Sequence, residues 1–263
     1  MSTSKTAEKE IWLKATCELS FDLAEPTAFV FMLRPRSIKN QWVAYDEFYL
    51  SESIQAKEYS DSYGNLCQRL VAPCGDFHIH TAAEVLVSLQ AVLPTEAPYV
   101  NVQDLPDEVL HFLLPSRYCE SDRFNEMAIE IVGDASPGIC QVKEITNWVR
   151  RHVQYTVDSS PYPISAIEVN SKRVGVCRDL AHFCIALCRS LCIPARLVVG
   201  YLYKLKPMDI HAWFEVYING QWYTFDPTEQ AMPEARITIA HGRDASDVAI
   251  YNQYGPVVLP NYM

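Results

Sequence analysis

Three residues in the second half of the chain have types and settings suited to covalent chemistry. Cys177 opens the run Gly175-Val176-Cys177-Arg178-Asp179-Leu180-Ala181-His182-Phe183. The spacing of Leu180, Phe183, Cys184, Leu187, Cys188 and Leu191 predicts a helix reaching about Cys192, stopped by Ile193-Pro194. Cys177 then sits at the helix start, where unpaired amides and the helix dipole favour a negative sulfur. Gly175 is expected to permit a tight turn that brings the cysteine out of the preceding loop. Downstream, His211 to Ile218 and Gln221 to Thr228 alternate around Asn219-Gly220, a strong short signal for a two-residue hairpin. Such a turn pairs Ile218 with Gln221, Val216 with Tyr223 and Trp213 with Asp226. Phe214, Val216, Ile218, Tyr223 and Phe225 fall on one apolar face; His211, Trp213, Glu215, Thr224 and Asp226 fall on the other. His211 and Asp226 become diagonal neighbours, roughly 7 Å apart at the backbone. A carboxylate so placed fixes an imidazole's tautomer and stabilises its cation, leaving the second ring nitrogen for a nucleophile. Cysteine, histidine and aspartate in these roles make a thiol acyl-transfer centre. On residue types alone, three unrelated polar residues remain the alternative.

These residues need a scaffold, and the chain supplies two kinds of pattern. From Ile11 to about Ser88 short alternating runs are punctuated by Pro26, Pro35, Asn40, Ser62-Tyr63-Gly64-Asn65 and Pro73. The runs at Trp12–Leu19, Ala28–Leu33, Ala44–Leu50, Leu66–Ala72 and Asp76–Val87 predict strands of an antiparallel β-sandwich. Residues 89–122, with four prolines, read as a connector carrying a short helix near Glu108 to Leu113. Beyond it the period becomes helical, at Arg123 to Val132 and at Ile139 to Val153, and Ala195 to Leu202 reads as a strand. The expected division is a sandwich domain over residues 1–105 and a mixed helix-and-sheet domain over 106–263.

Composition narrows the partners. The chain has 263 residues, 49% of them hydrophobic, and a net charge of −10. A protein this acidic is expected to bind neither nucleic acid nor an anionic membrane. Residues 1–120 hold nine basic and 17 acidic side chains, so most of the acidity lies there. Seven basic residues cluster within 171–211; most read as solvated, and Arg178, next to Cys177, is the one that favours a thiolate. Met1 to Glu10 is polar, with no apolar targeting segment after it, and no stretch is apolar enough to span a bilayer. Reduced thiols in a cytoplasm are the expectation for the nine cysteines.

No cofactor or metal is expected. The chain has no C-x-x-C pair and no H-E-x-x-H. His78 and His80 share a strand face but find no third ligand in register, so they read as solvent-facing. Cys184, Cys188 and Cys192 read as small packing residues. His182 reads as a structural histidine, and Asp179 as an acid favoured by the helix dipole.

Several ordered blocks carry a resemblance. Gly-Val-Cys-Arg-Asp-Leu-Ala-His at 175–182, Ile-Pro-Ala-Arg at 193–196, His-Ala-Trp-Phe-Glu-Val-Tyr at 211–217 and Trp-Tyr-Thr-Phe-Asp-Pro-Thr at 222–228 resemble the transglutaminase-like core of bacterial candidate cysteine proteases. Leu114-Pro115-Ser116-Arg117-Tyr118-Cys119 and the block His241 to Ala249 are similar to the same family. The resemblance implies an α+β protein: an N-terminal antiparallel β-sandwich, then a papain-like core with a cysteine-bearing helix on an antiparallel sheet. It implies Cys177 as nucleophile, His211 as general base and acid, and Asp226 as the orienting carboxylate. The implied activity is amide hydrolysis of a protein or peptide through a thioester. The alternatives are glutamine acyl transfer on the same triad and a peptide-binding scaffold without turnover.

Overall fold

The computed structural model describes residues 10–51, 54–89, 93–157, 159–160, 162–228, 235–256 and 258–260. In chain order the strands are β1 (Glu10–Leu23), β2 (Thr27–Phe31), β3 (Gln41–Leu50), β4 (Lys57–Ser60), β5 (Leu66–Ala72) and β6 (Gly75–Ser88). Helices α1 (Asp107–Leu110), α2 (Asn125–Val132) and α3 (Ile139–His152) follow, then β7 (Gln154–Tyr155), α4 (Ala166–Lys172), β8 (Val174–Gly175) and α5 (Cys177–Ser190). The chain ends with β9 (Ala195–Leu202), β10 (Ile210–Ile218), β11 (Gln221–Phe225), β12 (Arg236–Gly242) and β13 (Tyr251–Tyr254). The result is an α+β fold with mostly antiparallel sheets.

Two antiparallel sheets, β1-β6-β3 and β13-β2-β5-β4, form the sandwich. Alternate residues of β1 and β6 point inward, and their aromatic rings meet those of the facing sheet. Phe21 lies 5.1 Å from Phe29 and 5.3 Å from Tyr251, and Phe77 lies 6.2 Å from Phe29. Offset rings at these separations add to the gain from burying their area. A bulge at Ala44 shifts the β3 register, so Val43 faces Val85 while Tyr45 faces Glu84. This sends Tyr45 and Tyr49 outward beside Trp42, which packs edge-on against Trp12 at 5.8 Å. β13, from beyond the expected division at residue 105, hydrogen-bonds along β2.

The second sheet runs β11-β10-β9-β12, with α5 packed across β10 and β9. Asn219 and Gly220 both have positive φ (49° and 80°), the type I′ geometry that suits the twist of a hairpin. The register is the one the sequence predicts, from Phe214↔Phe225 to Ile218↔Gln221. Leu180, Leu187, Phe214 and Val216 are fully buried, and so is Phe183, whose ring meets Phe124 and Trp148. α5 is buried on almost every side, as its extra Ile185 and Ala186 lead one to expect.

The edge strand β12 meets the sandwich through two amide side chains. Gln41 Nε2 donates to Thr238 O (2.9 Å) while Gln41 Oε1 accepts from Thr238 N (2.7 Å). Asn65 does the same to His241, at 2.8 and 2.9 Å. A register shift between Thr238 and Ala240 turns both residues toward these clamps. The same shift brings Ile237 O so close to Gly200 that a Cβ there would lie 1.9 Å from it, so only glycine fits.

Candidate active site

Cys177 is the first residue of α5, with Val176 in extended conformation as its N-cap. The cap is built by Asp179, which is fully buried. Its Oδ2 accepts from Val176 N (3.2 Å), and its Oδ1 accepts from Arg178 Nε (3.1 Å) and from Ile164 N (3.4 Å). Asp179 therefore ties the helix start to Ile164, a larger role than the helix-dipole acid that the sequence suggests. Arg178 differs from expectation as well. Its guanidinium is engaged by Asp179 and by the Ser160 carbonyl and hydroxyl, at 3.1 and 3.3 Å. It is a strut between helix and loop. Gly175 also plays another part than the one expected. It lies in β8, without a left-handed turn, and a Cβ would meet the Asp179 Cβ at 2.9 Å. Close approach of the helix start, not turn geometry, calls for glycine here.

His211 and Asp226 come together from the two arms of the hairpin. His211 Nε2 lies 2.7 Å from Asp226 Oδ2, and the two side chains are 3% and 1% exposed. Cys177, which is half-buried, lies near enough to the same ring to be among the groups that raise its pKa. With Nε2 occupied by the carboxylate, Nδ1 is the nitrogen left for the sulfur. Burial alone would lower the His211 pKa, but the hydrogen bonds and charges of Asp226 and Cys177 outweigh it and raise the pKa to about 10. Burial pushes the Asp226 carboxyl the other way, yet its bonds to His211 and Thr228 hold it below its ordinary value.

The face that carries His211 is not the polar face that alternation suggests. Trp213 is completely buried, packed with Val198 and Leu202 and capped by Arg236, whose guanidinium carbon is 5.4 Å from the ring centre. Glu215 is paired with Arg196 at 2.6 Å, and Arg196 stacks 4.0 Å over Trp222. Both faces of the sheet are covered, so its centre reads as apolar on one side and as ion-paired and aromatic on the other.

The remaining cysteines and histidines separate cleanly. Cys184 and Cys188 are buried, and burial raises both thiols far above their ordinary range. Cys192 departs from the packing role: it follows the helix end, with φ 58°, and is exposed. His78 is exposed and hydrogen-bonds Ser20 at 2.7 Å; His80 contacts Glu18 at 3.3 Å. Among the described residues no group of three or more His, Cys, Asp or Glu could hold a metal ion. His182 is fully buried; its Nε2 accepts from Ala245 N (3.1 Å), so Nδ1 donates to Ile164 O (3.2 Å).

The outlying blocks 114–119 and 241–249 meet each other instead of the thiol. Tyr118 N donates to Asp244 Oδ2 (2.7 Å), and the buried Arg189 binds Leu114 O, Ser116 Oγ, Ala195 O and Arg243 O. Two supports near the site escaped the sequence reading. Arg150 on α3 donates to Asp226 O (2.9 Å), and Thr228 binds the Asp226 carboxylate. A third omission is the helix α4; Ser165 and Glu168 form a capping box whose S-x-x-E spacing is visible in the sequence.

Comparison with known proteins bears on the fold and the family. Residues 125–227 match the family model of the transglutaminase-like superfamily core. The crystal structure of a candidate cysteine protease from Cytophaga hutchinsonii superposes with a TM-score of 0.88 at 32% identity, over 95% of this chain and 90% of that one. The uncharacterized protein ML0607 of Mycobacterium leprae is 27% identical over 234 residues, 82% of each chain. With both the core motifs and the whole architecture shared, the chain belongs to the transglutaminase-like superfamily.

Proposed function

We propose that the protein is a thiol-dependent amide hydrolase acting on a protein or peptide, with Cys177 as nucleophile, His211 as general base and acid, and Asp226 as the orienting carboxylate. The observation that carries this reading is a buried imidazole bonded to a buried carboxylate, with a helix-start thiol among the groups that raise its pKa. His211 takes the thiol proton and the sulfur attacks the carbonyl carbon, forming the S–C bond. The Cys177 N–H, which as the first of the helix has no intrahelical acceptor, donates to the developing oxyanion. The C–N bond breaks as His211 returns its proton to the leaving amine. Water, deprotonated by the same ring, then attacks the thioester and releases the acid and the thiol. A primary amine in place of water gives acyl transfer by the same steps, and the mass of the product formed with added amine tells the two apart.

The proposed setting is a reducing compartment, supported by nine unpaired cysteines. No helix among the described residues is long and apolar enough to cross a membrane. A thiol-directed acyl probe tests the assignment: the wild type should be labelled at Cys177, mapped by peptide mass, and Cys177→Ala should lose that label. Exposed Cys74 and Cys192 supply the background rate. A folded Cys177→Ala protein labelled as fast as wild type would sink the nucleophile assignment.

A further inference from the structure

We infer that Thr228 is a positioning residue for the His211–Asp226 pair, holding the carboxylate so that one oxygen is reserved for the ring. This inference rests on the proposed function for its meaning but on separate contacts for its support. β11 ends at Phe225, so no ladder partner fixes the backbone at Asp226. Three other contacts do the work of a ladder. Arg150 holds the Asp226 carbonyl. Thr228 N donates to Asp226 Oδ1 at 2.9 Å, and Thr228 Oγ1 donates to the same oxygen at 2.7 Å. The intervening Pro227 has no N–H to compete for that oxygen and biases Asp226 to an extended backbone.

The division of labour within the carboxylate follows from these distances. Oδ1 takes both Thr228 donors, and Oδ2 is left to His211 Nε2 at 2.7 Å. The Thr228 hydroxyl oxygen also lies 3.4 Å from that ring nitrogen. Its proton is committed to Oδ1, so what it turns toward the ring is a lone pair. The Nε2–H is thus offered a strong acceptor and a weaker one, and both favour the imidazolium. Without the hydroxyl, Asp226 Oδ1 keeps only the Thr228 N–H, so the carboxylate is held less firmly and the imidazolium loses stabilisation at the moment it forms.

Thr228→Val keeps the shape and the backbone N–H but removes the hydroxyl; Thr228→Ser keeps the hydroxyl and removes the methyl. Valine is expected to lower kcat/KM roughly 10-fold to 100-fold, the loss of one hydrogen bond to a charged group. Serine should stay within about 3-fold of wild type, since that bond is retained. The His211 ring, followed by NMR titration, should titrate at lower pH in the valine variant and at the wild-type pH in the serine variant. A valine variant with unchanged rate and titration overturns the inference. So does a serine variant impaired as much as valine, because the methyl would then be what matters. If valine does not fold, the serine result and the His211 titration in Asp226→Asn still decide it: serine must match wild type, and Asp226→Asn must lower the titration. The NMR readout needs no substrate, so a protein without amide turnover would fail the functional proposal and leave this one still decided.

Discussion

His182 and His211 are equally buried and behave in opposite ways. His182 is enclosed by backbone and by Tyr118, whose ring lies 5.3 Å away and nearly parallel. One of its nitrogens accepts an amide N–H, so a second ring proton would have nowhere to point. Burial governs there, and the pKa falls to about 4. His211 meets a carboxylate and a thiol, and its pKa rises to about 10 against the same burial cost. Burial therefore does not determine what a histidine does; the groups bonded to its ring do. One region uses the ring as a neutral strut; the other holds, in the proposed mechanism, a proton carrier.

Asp226→Asn should erase this contrast. It replaces the anion with a neutral amide, so His211 should fall toward the behaviour of His182, and amide turnover should drop roughly 10²-fold to 10⁴-fold. Steady-state rates measured together with a His211 titration test it; an unchanged titration would mean that Asp226 is not what raises the ring.

His182→Gln probes the other side. It removes a buried acceptor and the ring stack, so unfolding in urea should show a loss of about 3 kcal/mol. The alkaline titration of His211 should not move in this variant. If it does, the two regions are coupled and the contrast is not local.

The pH dependence of stability is the smallest effect and has two sides. His182 is harder to protonate folded than unfolded, where its value is 6.5. Its share of stability is complete above pH 6.5, declines as pH falls toward 4 and levels off below; the loss is about 2 kcal/mol by pH 5. The half-buried His241, lowered to about 4 as well, acts in the same direction. His211, raised when folded, contributes in full below pH 6.5 and loses its contribution as pH climbs through about 10. Urea melts across this range should show both flanks, with the acid flank shallower in His182→Gln.

What could be read from sequence was mostly local. The hairpin register follows from Asn219-Gly220 because a two-residue turn leaves no freedom, and the His211–Asp226 neighbourhood follows from the register. The helix start at Cys177 follows from apolar spacing. What escaped depends on partners distant in the chain. The Gly175 requirement comes from the approach of Asp179, the burial of Trp213 from Val198, Leu202 and Arg236, and the engagement of Arg178 from Ser160. β4 was invisible because all four of its residues are exposed and show no alternation. Thr228 was quoted as part of a motif yet given no role, since its hydroxyl acquires one only when Asp226 folds back onto His211.

The Gln41 and Asn65 clamps carry a last consequence. β12 is an edge strand, and an edge exposes N–H and C=O groups that invite a foreign strand to pair with it. Two side-chain amides occupy two outward positions on that edge, Thr238 and His241, each giving and taking one hydrogen bond as a neighbouring strand would. The sandwich is thus a stopper for the second sheet as well as its neighbour. Parting the two halves would uncork a templating edge, and the first fault of the freed core would be stickiness toward its own kind, ahead of any fault in its chemistry.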